Sequence, residues 1–202
     1  MTPDQPSERT KKGPPEDASL AQALRDLQAA QDQASRERWY RSMPLDEELF
    51  DRWERGRTLG FGDGTSVYQH AYVYGDVTVG SNTWIGPMTI LDGSGGLAIG
   101  SWCSISAGAQ LYSHSTVDWA VTGGVAEYRR ERTVIEDCTF VGPLAVVAMG
   151  VTIGAGSVVG AHAFVNRDVP AGSVVVGVPG RVIGRVEIGP DGEARRVYEA
   201  CE

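Results

Sequence analysis

Aliphatic residues recur every six positions between residues 67 and 165 of this chain, with two interruptions. They are Val67, Val73, Val79, Ile85, Leu91, Ile99, Ile105, Leu111, Ile135, Val141, Val147, Ile153, Val159 and Val165. A small or β-branched side chain follows most of them four residues later, at Val77, Thr83, Thr89, Cys103, Ala109, Ser115, Thr139, Ala145, Val151, Ser157 and Ala163. A short fixed period is the signature of a solenoid, and six residues suit one short strand and one corner. The period therefore predicts an all-β solenoid, a parallel β-helix whose triangular coils enclose the aliphatic residues and their small companions.

The two interruptions mark positions where the chain departs from the coil. Leu91 and Ile99 are eight residues apart, which predicts a bulge in the sequence DGSGG at residues 92–96. Residues 117–134 (VDWAVTGGVAEYRRERTV) lack the small-residue rhythm, and we interpret them as one long loop that leaves the coil. Long loops in compact domains are usually functional, because ordering them costs entropy that the core does not recover.

The remaining segments differ in composition from the repeats. Residues 1–17 are rich in Pro, Ser, Lys, Asp and Glu, so they are predicted to be a disordered tail. Residues 18–58 are expected to form a helical N-terminal segment, because helix formers dominate and leucines recur at spacings of four and three. The β-helix domain is expected over residues 59–186, followed by a C-terminal extension over residues 187–202.

Charge and cysteine content exclude several functional classes. With 26 acidic and 18 basic side chains the net charge is −8, which repels phosphate backbones, so no nucleic-acid partner is expected. The three cysteines show no CxxC or Cys/His ligand spacing, so we expect no metal site and a reducing, cytoplasmic location. Neither an apolar signal sequence nor a run of roughly 18 apolar residues occurs, so no membrane association is expected.

The repeat region resembles the hexapeptide-repeat acyltransferases. The sequence GVTIGAGSVVGAHAFVNRDVPAGSVVVGVPGRVIGRV (residues 150–186) is similar to the C-terminal coils of galactoside, maltose and xenobiotic acetyltransferases. The sequence WIGPMTILDGSGGLAIGSWCSISAGAQLYSHSTVDWAVTGG (residues 84–124) is more similar still to the sugar acetyltransferases of bacterial polysaccharide gene clusters. The resemblance implies a left-handed β-helix, a homotrimer with active sites at the subunit interfaces, and acetyl-CoA or another short acyl-CoA as co-substrate.

The resemblance also implies that His114 is the catalytic residue. It lies in the sequence LYSHS, in the last regular coil before the long loop, where this family places its catalytic histidine. The chemistry requires such a group, because an acceptor hydroxyl or amine must lose a proton as it attacks a thioester, and imidazole titrates near neutral pH. The expected activity is transfer of an acetyl or short acyl group to a sugar, a sugar nucleotide or a related metabolite.

The cofactor-binding positions are carried over from the family's motifs. The motif GAHAFVNRD places Ala161 near the CoA arm, and Asn166 and Arg167 stand where many relatives have Thr and Lys. Arg181, in GVPGRV, matches an arginine near the nucleotide end of CoA. Gly142 begins a further cofactor-side coil, although the serine that often follows it is a proline here.

The acceptor-binding positions are inferred from their location near His114. The candidates are Trp84 and Asp92 on the preceding coils, and Tyr112, Asp118 and Trp119 beside the histidine. Aromatic side chains at a polar cleft suit the apolar face of a sugar ring.

Two other functions are compatible with a β-helix. A zinc carbonic anhydrase of the γ type needs three converging histidines, whereas this chain has three histidines in total and no HxxxxH pair. A non-catalytic scaffold or binding module is the main alternative, because a fold does not guarantee an activity.

Overall fold

The computed structural model describes residues 18–198. These residues form two compact units, one that ends at Leu49 and one that begins at Phe50. The tail predicted over residues 1–17 and the end of the predicted C-terminal extension, residues 199–202, lie outside the described residues. No helix within residues 18–198 is long and apolar enough to cross a membrane.

The N-terminal unit is helical, as the sequence predicts. Helix α1 (Ala18–Trp39) is built from strong helix formers and carries Arg36 and Arg38 in its last turn, where they complement the helix dipole. The carboxylate of Asp32 forms an ion pair with Arg36 one turn later. Helix α2 (Leu45–Leu49) follows after a short connection and packs against α1.

The second unit contains, within residues 50–198, helices α3 (Arg52–Thr58) and α4 (Val117–Val121) and seventeen short strands. The strands are β1 (Ser66–Val67), β2 (Tyr72–Val79), β3 (Trp84–Ile85), β4 (Ile90–Ile99), β5 (Ser104–Ile105), β6 (Gln110–Leu111), β7 (His114–Ser115), β8 (Arg129–Arg130), β9 (Thr133–Ile135), β10 (Phe140–Val141), β11 (Val146–Val147), β12 (Thr152–Ile153), β13 (Val158–Val159), β14 (Phe164–Val165), β15 (Ser173–Val176), β16 (Arg181–Ile188) and β17 (Ala194–Tyr198).

The parallel strands stack into three faces of a triangular coil. The first face consists of β1, β3, β5, β10, β13 and β15 in that spatial order. The second face consists of β6, β11, β14 and the first halves of β2 and β4. The third face consists of the second halves of β2 and β4, followed by β9 and β12. The parallel β-helix predicted from the six-residue period is therefore confirmed.

The interior is filled by the residues that the period singled out. Every aliphatic position of the repeat is buried except Val73, which is half-buried at the first coil. Buried hydroxyl companions can bond to the next coil: Thr83 Oγ1 donates to the Gly100 carbonyl at 2.8 Å and accepts from the Cys103 N–H at 3.1 Å. Burial raises the pKa of the Cys103 thiol, which agrees with a packing role. Ser115 is a half-exposed exception, because the chain has left the coil there.

Helix α3 closes the N-terminal end of the coil. Asp51 caps the helix by accepting hydrogen bonds from the N–H groups of Trp53 and Glu54. The guanidinium of Arg55 donates to the carbonyls of Tyr68 and Ala71 in the first coil. Helix α3 thus belongs to the compact unit of the β-helix, although the sequence analysis assigns it to the helical segment of residues 18–58. Covering the end of a solenoid protects its unpaired edge.

The C-terminal end is closed by antiparallel pairing. Strand β15 pairs with β16, and β16 pairs with β17. Residues 187–198 of the predicted C-terminal extension therefore continue the first-face sheet.

The segment between β6 and β9, residues 112–132, leaves the coil and is called the excursion below. It contains β7, α4 and β8, and β7 pairs with β8 in antiparallel register. It begins five residues earlier than the loop predicted over residues 117–134 and returns to the coil at Thr133, which is fully buried.

We predict that Gly56→Ala destabilises the cap. Gly56 is buried in α3, and a Cβ there would lie 2.4 Å from the Thr65 carbonyl oxygen, closer than any real contact. The helix must shift away, at an expected loss of about 1–3 kcal/mol in the free energy of unfolding. Chemical denaturation measures this loss, with Arg57→Ala at an exposed position of the same helix as the control. Equal stability of the two variants would contradict the prediction.

Candidate active site

The site is built at the corner between the second and third faces, where the repeat is irregular. Gly75 of β2 pairs with Gly93 of β4, but the next pair is Val77 with Leu97. Residues 94–96 therefore lie opposite the single residue Asp76, which is the bulge predicted from the spacing of eight. Gly93 is required because a Cβ there would lie 2.3 Å from the Asp76 carbonyl oxygen.

The bulge folds Asp92 inward. Its side chain is buried, with the residue only 2% exposed. One carboxylate oxygen accepts from the Ser94 N–H at 3.0 Å and from the Ser94 hydroxyl at 2.6 Å. The other accepts from the Ser113 N–H at 3.0 Å and lies 2.5 Å from Nδ1 of His114. Burial alone would raise the pKa of Asp92, but the hydrogen bonds from Ser94, His114 and Ser113 outweigh it and lower the pKa to about 2.

Asp92 fixes the tautomer of His114. A carboxylate that stays ionised only accepts hydrogen bonds. Nδ1 of the imidazole therefore carries the hydrogen and donates a hydrogen bond to Asp92. The other ring nitrogen, Nε2, has no hydrogen-bond partner among the described residues and is left as an acceptor. The His114 side chain is 32% exposed, so this nitrogen is accessible to a bound molecule.

Ser113 ties the histidine to the bulge. It is fully buried, its hydroxyl donates to the Asp92 carbonyl at 2.5 Å, and it accepts from the Gly95 N–H at 2.8 Å. The imidazole is therefore carried on a segment that is bonded to the neighbouring coil by both backbone and side chain. Sequence analysis missed this residue, which has no motif of its own.

The structure brings together only some of the predicted acceptor residues. Tyr112 contacts His114 edge-on, with ring centroids 6.5 Å apart, and burial and the nearby charge of Asp92 raise its pKa. Asp118 and Trp119 lie on α4 in the excursion and are exposed. Trp84 lies on the first face, packed edge-on against Tyr68 at 5.6 Å, and not at the corner that carries His114.

Asp92 has a different environment from the one expected. Sequence analysis placed it among the candidate acceptor contacts, on the coils before His114. Because the bulge turns the side chain inward and Ser94 and Ser113 enclose it, the carboxylate faces the imidazole instead of the open cleft.

A cavity of about 550 Å³ opens in the excursion. Its lining residues are Trp119, Gly124, Val125, Ala126, Glu127, Tyr128 and Arg130. Trp119 and Tyr128 contact each other edge-on at 5.5 Å. Sequence analysis assigned this segment to the long loop but did not identify Tyr128 or Arg130.

The predicted cofactor residues form two groups. Asn166, Arg167 and Arg181 line one cavity of about 180 Å³ beside the C-terminal coils. Gly142 and Ala161 lie at the corner between the first and second faces, where a Cβ on Gly142 would be 2.7 Å from the Ala161 backbone nitrogen. The two turns stack too closely for a side chain at Gly142. The first group instead offers two exposed cations, Arg167 and Arg181, which are suited to phosphate.

The described residues hold no evident metal centre. Within residues 18–198 no group of three or more His, Cys, Asp or Glu side chains is placed to hold an ion.

The repeat is recognised by comparison with known families. The family described as bacterial transferase hexapeptide (six repeats) matches residues 132–167. Residues 132–167 therefore carry hexapeptide repeats of this family, as the sequence resemblance indicates.

Relatives and solved structures extend this finding. A 2,3,4,5-tetrahydropyridine-2,6-dicarboxylate N-acetyltransferase of Staphylococcus aureus is 46% identical over 65 residues, which are 32% of this chain and 27% of that protein. The chain thus matches about a quarter of the length of the curated relatives.

AntD, an N-acyltransferase from Bacillus cereus solved with dTDP and 3-hydroxybutyryl-CoA, superposes with a TM-score of 0.56 at 19% identity, covering 67% of this chain and 90% of AntD. A variant of AntD, solved with dTDP-4-amino-4,6-dideoxyglucose and coenzyme A, gives the same TM-score at 20% identity, covering 65% and 87%. The shared fold is the left-handed parallel β-helix.

We predict that Asp92 contributes acid-dependent stability. Its pKa falls from 3.8 to about 2 on folding, so the contribution is fully present above pH 4 and is lost as the pH falls through 2. The shift corresponds to about 2 kcal/mol. The free energy of unfolding of the wild type should therefore fall by about 2 kcal/mol more than that of Asp92→Asn between pH 4 and pH 2, as measured by urea denaturation. Asp118→Asn, which removes an exposed carboxylate, is the control, and parallel curves for wild type and Asp92→Asn would contradict the prediction.

Proposed function

We propose that this protein is an acyltransferase that moves an acetyl or short acyl group from acyl-CoA to a hydroxyl or amine of a sugar, a sugar nucleotide or a related metabolite. The observation that carries the proposal is the Asp92–His114 pair at 2.5 Å, placed where the excursion leaves a hexapeptide β-helix. A buried carboxylate behind a half-exposed imidazole is an arrangement suited to removing a proton at neutral pH. The matched relatives, an N-acetyltransferase and an N-acyltransferase, are consistent with this chemistry.

His114 is the proposed general base. Its Nε2 takes the proton from the acceptor oxygen or nitrogen as that atom forms a bond with the acyl carbon. The C–S bond of the thioester breaks, and the proton passes from Nε2 to the sulfur, so that CoA leaves as the free thiol. Asp92 does not touch the substrates in this scheme: it is a positioning residue that holds the ring and stabilises the imidazolium while the proton is carried.

The donor is proposed to bind between the two groups of cofactor residues. Arg167 and Arg181 offer charge-assisted hydrogen bonds to the phosphates of CoA, and Asn166 lies in the same cavity. At the close-packed turns of Gly142 and Ala161, Ala161 is exposed, and the pantetheine arm is proposed to lie against it. Both AntD structures contain coenzyme A or an acyl-CoA, which supports the same donor here.

The acceptor is proposed to bind on the side of the excursion. Tyr112 provides aromatic surface beside His114 for a sugar ring, Trp119 adds aromatic surface in the excursion cavity, and Asp118 is a candidate polar contact on the same helix as Trp119. Trp84, on the first face, would contribute only at a cleft completed by a neighbouring subunit. The presence of an amino-sugar nucleotide in an AntD structure makes a sugar nucleotide one reasonable acceptor.

A non-catalytic scaffold remains the alternative function. It would need neither the Asp92–His114 pair nor two exposed arginines in one cavity. A failure to bind CoA or acetyl-CoA at millimolar concentration in calorimetry would favour the scaffold and overturn the proposed activity.

Two variants should separate chemistry from donor binding. We expect His114→Ala to lower kcat by roughly two to four powers of ten, because a general base contributes that much, while its affinity for CoA is unchanged. Arg167→Gln should do the reverse, weakening CoA binding roughly tenfold through the loss of a charged hydrogen bond, with a smaller effect on kcat. Release of the CoA thiol from acetyl-CoA measures turnover, and calorimetry measures affinity. Retained turnover in His114→Ala would exclude it as the base.

We also propose a cytoplasmic homotrimer with composite active sites, as in the family that the sequence resembles. Exposed large apolar side chains on the β-helix, among them Met88, Trp102 and Leu144, are the kind of surface that subunit contact would bury. Light scattering should give a mass of three 21.6 kDa chains. A monomer at working concentration would contradict both the trimer and any role for Trp84 in the site.

A further inference from the structure

The excursion places a second functional group beside His114. Strands β7 and β8 pair in antiparallel register, with His114 opposite Arg130 and Ser115 opposite Arg129. Side chains directly opposite one another in an antiparallel pair project from the same side, with Cβ atoms roughly 4.5–5.5 Å apart. The side chain of Arg130 therefore starts on the same side of this ribbon as the imidazole, whereas Arg129 starts on the other.

The backbone around Arg130 is held against the bulge. The Glu131 N–H donates to the Ser113 carbonyl at 3.0 Å, so β8 is bonded to the residue before the histidine. A Cβ on Gly95 would lie 3.1 Å from Cβ of Arg130 and 2.2 Å from the Ser113 carbonyl oxygen. Because Gly95 has no side chain, Arg130 packs directly on the corner that carries Asp92 and His114.

Arg130 also differs from its neighbour in its charge partners. Arg129 forms an ion pair with Glu131 at 2.8 Å. The guanidinium of Arg130 forms no ion pair or hydrogen bond with the described residues, and it lies 5.8 Å from the ring centroid of Tyr128. In a chain with a net charge of −8, this cation beside the proposed base is available to a bound anion.

Arg130 is part of the excursion cavity, which supplies the rest of a binding site. Tyr128 and Trp119 form aromatic walls and are each a little over 40% exposed. Glu127 lines the cavity as well, so the cavity offers one charge of each sign together with apolar surface. A volume of about 550 Å³ is in the range of small-molecule sites.

We propose that Arg130 selects an acceptor that carries a carboxylate or phosphate group, and that the excursion cavity binds this acceptor. The inference rests on the proposed acyl transfer and narrows its acceptor to an anionic class. The guanidinium fork matches either anion through two parallel hydrogen bonds. The body of the acceptor packs on Trp119 and Tyr128, and its hydroxyl or amine reaches Nε2 of His114. An uncharged sugar of the same size leaves the guanidinium unpaired and binds weakly.

Binding of matched sugars to the CoA-saturated protein tests the inference without depending on turnover. The probes are glucosamine, glucosamine 6-phosphate and muramic acid, which share an amino-sugar ring. Glucosamine carries no anionic group, glucosamine 6-phosphate carries a phosphate, and muramic acid carries a carboxylate. We expect at least one of the two anionic probes to bind tenfold or more tightly than glucosamine in calorimetry. The anionic probe that binds more tightly shows whether the site prefers a phosphate or a carboxylate.

Two neighbouring arginines provide the matched variants. Arg130→Gln should weaken the preferred anionic probe roughly 10- to 100-fold, since hydrogen bonds to charged groups contribute that much, and should leave glucosamine unchanged. Arg129→Gln removes the same charge from the opposite side of the ribbon and should retain the preference. Unchanged CoA affinity in both variants shows that the coil is intact.

The outcomes separate this inference from the proposed function. If CoA binds but the anionic probes bind no better than glucosamine, or if Arg130→Gln retains the preference, the inference is wrong and acyl transfer is unaffected. An equal loss in Arg129→Gln would show only a general charge effect and would also overturn it. If CoA itself does not bind, both this inference and the proposed acyl transfer are wrong.

Discussion

The interior of the triangular coil is the constraint on which the rest of this structure depends. Each six-residue unit has room for one aliphatic side chain and one small companion, and the aliphatic positions stack in register from Val67 to Val175 on the first face. Several of the small companions are hydroxyls, because a backbone carbonyl lies within reach either in the next coil, as for Thr83 and Gly100, or in the same corner, as for Thr89 and Gly86. The packing leaves the hydrogen-bonding groups of a regular coil already paired, so a regular coil has few free polar groups for chemistry.

The candidate chemistry therefore lies where the period breaks. Two extra residues in β4 turn Asp92 inward, and the excursion begins in the next coil at the same corner. These departures depend on each other, because Asp92 accepts from the Ser113 N–H and Ser113 donates to the Asp92 carbonyl. The bulge without the excursion would bury a carboxylate with fewer donors, at the usual cost of an undersatisfied buried charge. The excursion without the bulge would present an imidazole with no carboxylate to orient it.

Sequence reasoning predicted the regular coils and the positions of the two interruptions, but it could not predict the contacts that form at this corner. The solenoid follows from the period alone, because a fixed spacing is a local signal repeated many times. His114 was selected through family resemblance, whereas the contact between Asp92 and Nδ1 joins residues twenty-two positions apart through a bulge that has no period. Trp84 was placed near the site for the same reason. It is close to Asp92 in sequence, but the coil puts it on a different face. The position of Arg130 opposite His114 could not be predicted from the sequence, because the register of β7 with β8 depends on the folded excursion.

Charge placement links the two proposed substrates. The chain is acidic overall, so its general field does not favour anions, and any anionic ligand must be held by local cations. Arg167 and Arg181 provide such cations at the donor cavity, and Arg130 provides one beside the proposed base. Because His114 lies on the same side of the ribbon as Arg130, an anion held by this guanidinium would bring the acceptor within reach of the imidazole that Asp92 orients.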